Sequence, residues 1–158
     1  MSEVDRYDQI KDYLESKGYK GFLGMKPNGI SGSAIFWKAS KYLCEYRSMT
    51  QFDKESSHIF VYGKFRSIQG NYKDVIFAEA HLKAKKGNEA ERMGQVQRLL
   101  DFKNQTQRFF ANDFPIIIAG DFNDVPESDT IRTQMEKEFV DFYSMKDIDY
   151  PRQPYNLS

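Results

Sequence analysis

A single cysteine, Cys44, excludes an internal disulfide and any zinc site assembled from cysteines. Such sparing use of cysteine suits a reducing compartment. No apolar run approaches the ~20 residues that a helix needs to cross a bilayer. The opening Met1-Ser2-Glu3-Val4-Asp5 also lacks the basic and apolar segments of a secretion signal. Together these absences predict a soluble protein without membrane or disulfide partners, cytoplasmic, with mitochondria as the alternative for a longer form. Net charge is missing too, since 23 Lys and Arg balance 23 Asp and Glu. That balance argues against a surface that coats nucleic acid by bulk charge, so any affinity for a polyanion must be local. Repeats and low-complexity tracts are absent, and 158 residues suffice for one domain with a real core rather than two. The expected state is a monomer.

What the chain does contain is aromatic bulk, 13 Phe and 10 Tyr, which we read mainly as packing for a layered core. Tyr7, Ile10, Tyr13 and Leu14 share a helical face ahead of Gly18, predicting a helix over residues 5 to 17. Pro27, Gly29 and Gly32 mark a loop, and residues 33 to 38 read as a strand. Residues 58 to 65 and 75 to 80, separated by the turn Gln69-Gly70-Asn71, predict a hairpin leading up to His81. Asn88 is placed to cap a helix reaching about Phe110, with Met93, Val96, Leu99 and Leu100 at helical spacing. A strand around Ile116 follows. Pro126-Glu127-Ser128 then opens a third helix carrying Ile131, Met135 and Phe139. The tail from Asp147 to Ser158 holds two prolines and no period. Continuous apolar strands alternating with helices predict a layered α/β sandwich.

The stretch Pro115-Ile116-Ile117-Ile118-Ala119-Gly120-Asp121-Phe122-Asn123-Asp124 is the most informative. A buried strand that stops at Gly120 would hold Asp121 and Asn123 rigidly at its end. A carboxylate and a carboxamide two residues apart can polarise a water and hold a phosphoryl oxygen beside a divalent ion. The same tripeptide also makes Asx-turns, and both readings stand. His81 ends a strand and is followed by Lys83, Lys85 and Lys86, a grouping suited to phosphate oxygens, although a solvated charge run would look the same. His58, after Ser56-Ser57, reads as structural or exposed. By position alone, Glu3 reads as a solvent-facing acid and Lys26 as an ordinary surface lysine.

In chain order, Glu3-Val4-Asp5, Gly32-Ser33-Ala34-Ile35-Phe36, His81-Leu82 and Gly120-Asp121-Phe122-Asn123 resemble the exonuclease/endonuclease/phosphatase superfamily, which has the deoxyribonuclease-I-like fold. The run His81-Leu82-Lys83-Ala84-Lys85, with Gly87, Arg92 and Gln95 after it, is most similar to the nocturnin-like, deadenylase-like branch. The resemblance covers most of residues 3 to 145 and implies a single domain of that fold over 1 to 158. It implies Glu3 as the ligand of Mg²⁺, with Mn²⁺ as the alternative, and so reverses the reading of Glu3 from position alone. It further implies Asp121 and Asn123 as the groups that activate water and contact the scissile phosphate, His81 as a phosphate contact, and Lys26, Lys83 and Lys85 as substrate-binding residues.

Several departures accompany the resemblance. Ser2 stands where the family has Gln, Ser31 where an Asp often precedes the Gly, and Lys85 where the branch has Arg, exchanging a bidentate contact for a point charge. The family's upstream Asn-bearing strand and its downstream Leu-Asp-Tyr-Ile and Ser-Asp-His segments are not in the 158 residues, so the chain is expected to be a fragment and the domain incomplete. The activity implied is hydrolysis of the 2′-phosphate of NADP(H), with 3′-to-5′ shortening of poly(A) as the alternative and a non-catalytic remnant as the alternative of another kind. The implied substrates are therefore a nucleotide or an RNA 3′ end.

Overall fold

Phe60 and Tyr62 alternate with Ile59, Val61 and Phe65, and this alternation sets two faces of one strand and through it the layers of the molecule. The structure is a computed structural model and describes residues 1–54, 56–70, 72–110, 114–125, 128 and 134–140. Met1–Asn123 and Asp124–Ser158 are separate compact units. The first unit holds helix α1 (Tyr7–Ser16), strands β1 (Tyr19–Met25), β2 (Gly32–Lys38), β3 (Tyr42–Gln51), β4 (Ile59–Ser67) and β5 (Val75–His81), helix α2 (Glu89–Phe109) and strand β6 (Ile116–Asp121).

Strands β1 and β2 form one antiparallel pair, and the other sheet has the order β3-β4-β5-β6. Its first three strands are antiparallel, whereas β6 lies parallel to β5, with α2 connecting them in sequence. Ile59, Val61 and Phe65 on one face of β4 form a core with Ile35 of β2, against which Phe22, Trp37 and Phe77 pack. Gly24 of β1 permits that approach, because a Cβ there would lie 2.3 Å from Val61 Cγ1. On the opposite face, the rings of Phe60 and Tyr62 lie 5.4 and 4.6 Å from Phe102 of α2. Helix α2 buries Val96, Leu99 and Leu100, as its spacing predicts, and Arg98 Nε donates to the Phe52 carbonyl at 2.8 Å. No helix among the described residues is long and apolar enough to cross a membrane.

Several expectations need correction. Strand β1 carries Gly21 and Gly24, which weaken its local strand signal, and only its pairing with β2 from Tyr19↔Lys38 to Met25↔Gly32 makes it a strand. Strand β3 is an edge strand with a register shift between Cys44 and Tyr46, so its hydrophobic alternation is broken and was not legible. The side chain of Asn88 does not cap α2; its Nδ2 donates to the Ala84 carbonyl at 2.7 Å. Helix α1 buries no residue fully, and Tyr13, assigned to its apolar face, is exposed with Lys17 Nζ 5.7 Å from its ring centre. Gly18 does end α1, with a φ of 81° and its N–H donating to the Glu15 carbonyl at 2.9 Å. The third helix falls mostly outside the described residues. Within 134–140 the Phe139 N–H reaches the Met135 carbonyl at 2.8 Å, one helical turn. The tail from Asp147 lies wholly outside them.

Candidate active site

Strands β5 and β6 run parallel and end together, with His81 in register with Asp121. At the carboxyl ends of parallel strands the chain turns away, so side chains there border a crevice. Gly120 sets how closely the two ends approach. Beyond it, Asp121 Oδ1 accepts the Asn123 N–H at 2.9 Å, so the Asx-turn suggested by the tripeptide is present. Asn123 has a φ of 49°, a conformation that Asn tolerates better than most residues. Its Nδ2 donates to the Leu82 carbonyl at 2.9 Å, while the Leu82 N–H donates to the Asp121 carbonyl at 2.9 Å. The turn after β6 is thereby tied to the residues that follow His81.

The opening residues reach the same place by a different route. Val4 and Gly32 exchange backbone hydrogen bonds of 2.8 and 3.0 Å, which sets Glu3 beside the loop after β1. Glu3 Oε1 lies 3.8 Å from Lys26 Nζ and 3.9 Å from His81 Nδ1. These separations exceed hydrogen-bond length, so the three groups face one another without closing. Lys26 is 7% exposed and His81 5%, while the Glu3 side chain is 68% exposed. His81 Nδ1 is buried and has no hydrogen-bond partner among the described residues. Ser2, the departure beside Glu3, donates its hydroxyl to Oε1 of Glu79, a buried carboxylate on β5 whose Oε2 has no such partner.

Of the residues singled out from sequence, Glu3, Lys26 and His81 converge directly, and Asp121 and Asn123 join them through backbone pairing and hydrogen bonds. Lys83 is partly exposed, its ammonium 3.8 Å from Glu91 of α2. Lys85 is exposed, with a φ of 76°. Lys26 is not the surface residue that its position suggested, because the turn after β1 folds it inward, with its N–H on the Ser31 carbonyl at 3.0 Å.

His58 was read as structural or exposed, yet its half-buried ring stands edge-on to His81, with centroids 5.9 Å apart at 89°. Only the register of β4 against β5 brings the two histidines together, so no local signal could have found the pair. Burial first, then the charges of Lys26, His81 and Lys83, hold the His58 imidazolium below its ordinary pKa of 6.5, with Glu91 opposing. The unfolded chain therefore gains a proton here at higher pH than the folded one does. The contribution is fully present above about pH 6.5 and is lost as pH falls through the depressed folded value. We expect His58→Gln to flatten the fall in urea midpoint between about pH 7 and about pH 5. An unaltered slope would assign that fall to other groups.

No three His, Cys, Asp or Glu side chains converge as a metal cage among the described residues. Mg²⁺ keeps several waters and takes one or two carboxylates together with substrate phosphate. A single exposed carboxylate such as Glu3 fits that habit.

No family model matches the chain. It is 28% identical over 141 residues to nocturnin of Drosophila melanogaster, covering 80% of this chain and 21% of that protein. It is 24% identical over 147 residues to carbon catabolite repressor protein 4 homolog 6 of Arabidopsis thaliana, covering 81% of this chain and 19% of that protein. The fold superposes on ANGEL2, a 2′,3′-cyclic phosphatase in complex with adenosine-2′,3′-vanadate, with a TM-score of 0.76 and 24% identity, covering 85% of this chain and 42% of that one. The chain thus spans about a fifth of the length of these two relatives. The likeness covers about four fifths of the chain, whose fold is that of the deoxyribonuclease-I-like domains of nocturnin and ANGEL2, to whose exonuclease/endonuclease/phosphatase superfamily the chain is similar in sequence.

Proposed function

We propose that this protein acts as a Mg²⁺-dependent phosphoesterase on the 2′-phosphate of NADP(H). The observation that carries the reading is the buried Lys26 ammonium facing Glu3 and His81 at the ends of β5 and β6. A buried ammonium costs solvation, which a phosphate dianion recovers better than a single carboxylate 3.8 Å away. Glu3 would hold the Mg²⁺, which when bound neutralises charge on the phosphate oxygens. Lys26 and His81 Nδ1 supply further donors to those oxygens, and Lys83 adds positive charge at the rim. Lys85, after the same strand, adds a second lysine there.

Asp121 uses Oδ1 to fix its own turn and keeps Oδ2 for an attacking water. The water oxygen bonds to phosphorus as its proton passes to Asp121. The P–O ester bond then breaks, and the leaving oxygen takes a proton from solvent. Asn123, anchored on Leu82, holds the Asp121 turn against His81 and presents its amide to the phosphate.

A second substrate, the 3′ end of poly(A), draws support from the ANGEL2 complex, in which the ligand is likewise built on an adenosine ribose. Phosphate release from NADPH and shortening of end-labelled oligo(A), each with Mg²⁺, separate the two. We expect the first to be the faster. Activity toward neither substrate from a chain that melts cooperatively would leave a binding remnant as the function.

A further inference from the structure

After His81 the chain leaves β5 and carries Lys83 and Lys85 before α2 begins, and two buried polar side chains of α2 hold this passage. Arg92 and Gln95 are 4% and 2% exposed, unusual burial for a guanidinium and a carboxamide. Three residues apart, they lie on one face of the helix. Both are directed at the backbone of the lysine segment. Gln95 Oε1 accepts the Lys83 N–H at 2.8 Å, and Arg92 Nη1 donates to the carbonyls of Lys83 at 3.1 Å and Lys85 at 3.0 Å. Asn88 Nδ2, bonded to the Ala84 carbonyl at 2.7 Å, holds the residue between them.

The segment needs such holding. Lys85 adopts a φ of 76°, a left-handed conformation disfavoured for a residue with a Cβ, and the chain turns again at Gly87 with a φ of 90°. Nothing local favours that path for Lys85, whereas Arg92 Nη1 bonds the carbonyls on both sides of Ala84 and so selects it. Arg92 does this from the first turns of a helix whose next residues on that side, Val96 and Leu99, are fully buried. The position of the lysine segment is therefore locked to the core.

We propose that Arg92 and Gln95 are positioning residues that set Lys83 and Lys85 as a phosphate clamp by bonding their backbone, without touching the ligand. The inference rests on the phosphate-site reading above and deepens it. It also distinguishes between the two ends of the Gln95 carboxamide. The oxygen makes the Lys83 bond, while Nε2 is buried with no hydrogen-bond partner among the described residues. A side chain that keeps the acceptor should therefore keep the clamp.

The test titrates the full chain with adenosine 2′-monophosphate at constant Mg²⁺, with adenosine as the phosphate-free control, and follows hydrogen exchange of the Lys83 amide. Gln95→Leu should expose that amide and raise the dissociation constant for the monophosphate about tenfold, the lower end of what losing the contacts that orient a metal's ligands costs, with adenosine unaffected. Gln95→Glu should retain both protection and affinity. Arg92→Lys keeps the charge but shortens the side chain and loses the planar guanidinium that places Nη1 between the two carbonyls, and should also weaken the monophosphate about tenfold. A Gln95→Leu protein that folds and binds like the wild type overturns the proposal. Should that variant fail to fold, Arg92→Lys decides on the same criterion. A wild-type Lys83 amide that exchanges freely sinks the clamp alone, whereas a folded wild type that binds no monophosphate sinks the phosphate-site reading and the clamp with it.

Discussion

Gly120→Ala should unpair the ends of β5 and β6 and remove hydrolysis along with stability. A Cβ built at Gly120 would stand 1.9 Å from the Ala80 carbonyl oxygen and 3.0 Å from the Ala80 nitrogen, and the residue has a φ of 151°. The obstructing atoms are the backbone of a strand paired on both sides, so no side chain can swing aside to make room. Overpacking and backbone strain each cost of order 1 to 3 kcal/mol, and together we expect a loss of about 3 kcal/mol in urea unfolding. Because Asp121 is the next residue, the same displacement moves it out of register with His81. Gly94 offers the matched control. It sits inside α2, and a Cβ added there would meet nothing within 4 Å, so Gly94→Ala should hold or raise stability, by up to about 1 kcal/mol. A Gly120→Ala chain as stable as the wild type would mean that the strand ends are not packed as described.

Asp121→Asn should separate what Asp121 builds from what it does. The Asx-turn uses one oxygen, Oδ1, as an acceptor for the Asn123 N–H, and an asparagine supplies that acceptor equally well. The substitution should therefore leave the melting temperature close to wild type. The carboxylate charge is lost, and with it the proton acceptor assigned to the attacking water. Removal of a general base typically costs about 10² to 10⁴ in rate, so we expect kcat for phosphate release from NADPH to fall by roughly that factor. Asp121→Ala should lose the same rate and also loosen the turn, lowering the urea midpoint, because Asn123 then holds its left-handed φ of 49° without the acceptor. Equal kcat in the wild type and Asp121→Asn would confine Asp121 to a structural role.

Much of the site was legible residue by residue because its carriers sit at ends of strongly patterned elements. Ile116 to Ile118 announce a strand, Gly120 breaks its apolar run, and Asp121 and Asn123 must then lie at its end; the expected burial is not found, because β6 is an edge strand among the described residues, with Ile116 and Ile118 half-buried and Ile117 exposed. His81 is likewise announced by the apolar run from Val75 to Ala80. Glu3 and Lys26 were different. By position they looked exposed, and only resemblance assigned them a role, because their meeting depends on the bridge between Val4 and Gly32, which lie far apart in the chain. His58 escaped altogether, since its partner is on the neighbouring strand and its own flanks, Ser56 and Ser57, carry no signal beyond a turn.

Local sequence carries the apolar strands, the long helix after His81 and the motif order that resembles the superfamily, and its single cysteine excludes an internal disulfide. Those follow from local period and residue chemistry, which need no knowledge of neighbours. Tertiary structure alone decided that glycine-bearing β1 is a strand, that bulged β3 closes the sheet edge, that Lys26 is buried against Glu3, and that Arg92 and Gln95 turn inward to hold the lysine segment. The physical reason is common to all four. Each depends on a hydrogen bond, an ion contact or a close approach between different elements, some 7 residues apart and some more than 20, and no local period reports such energies.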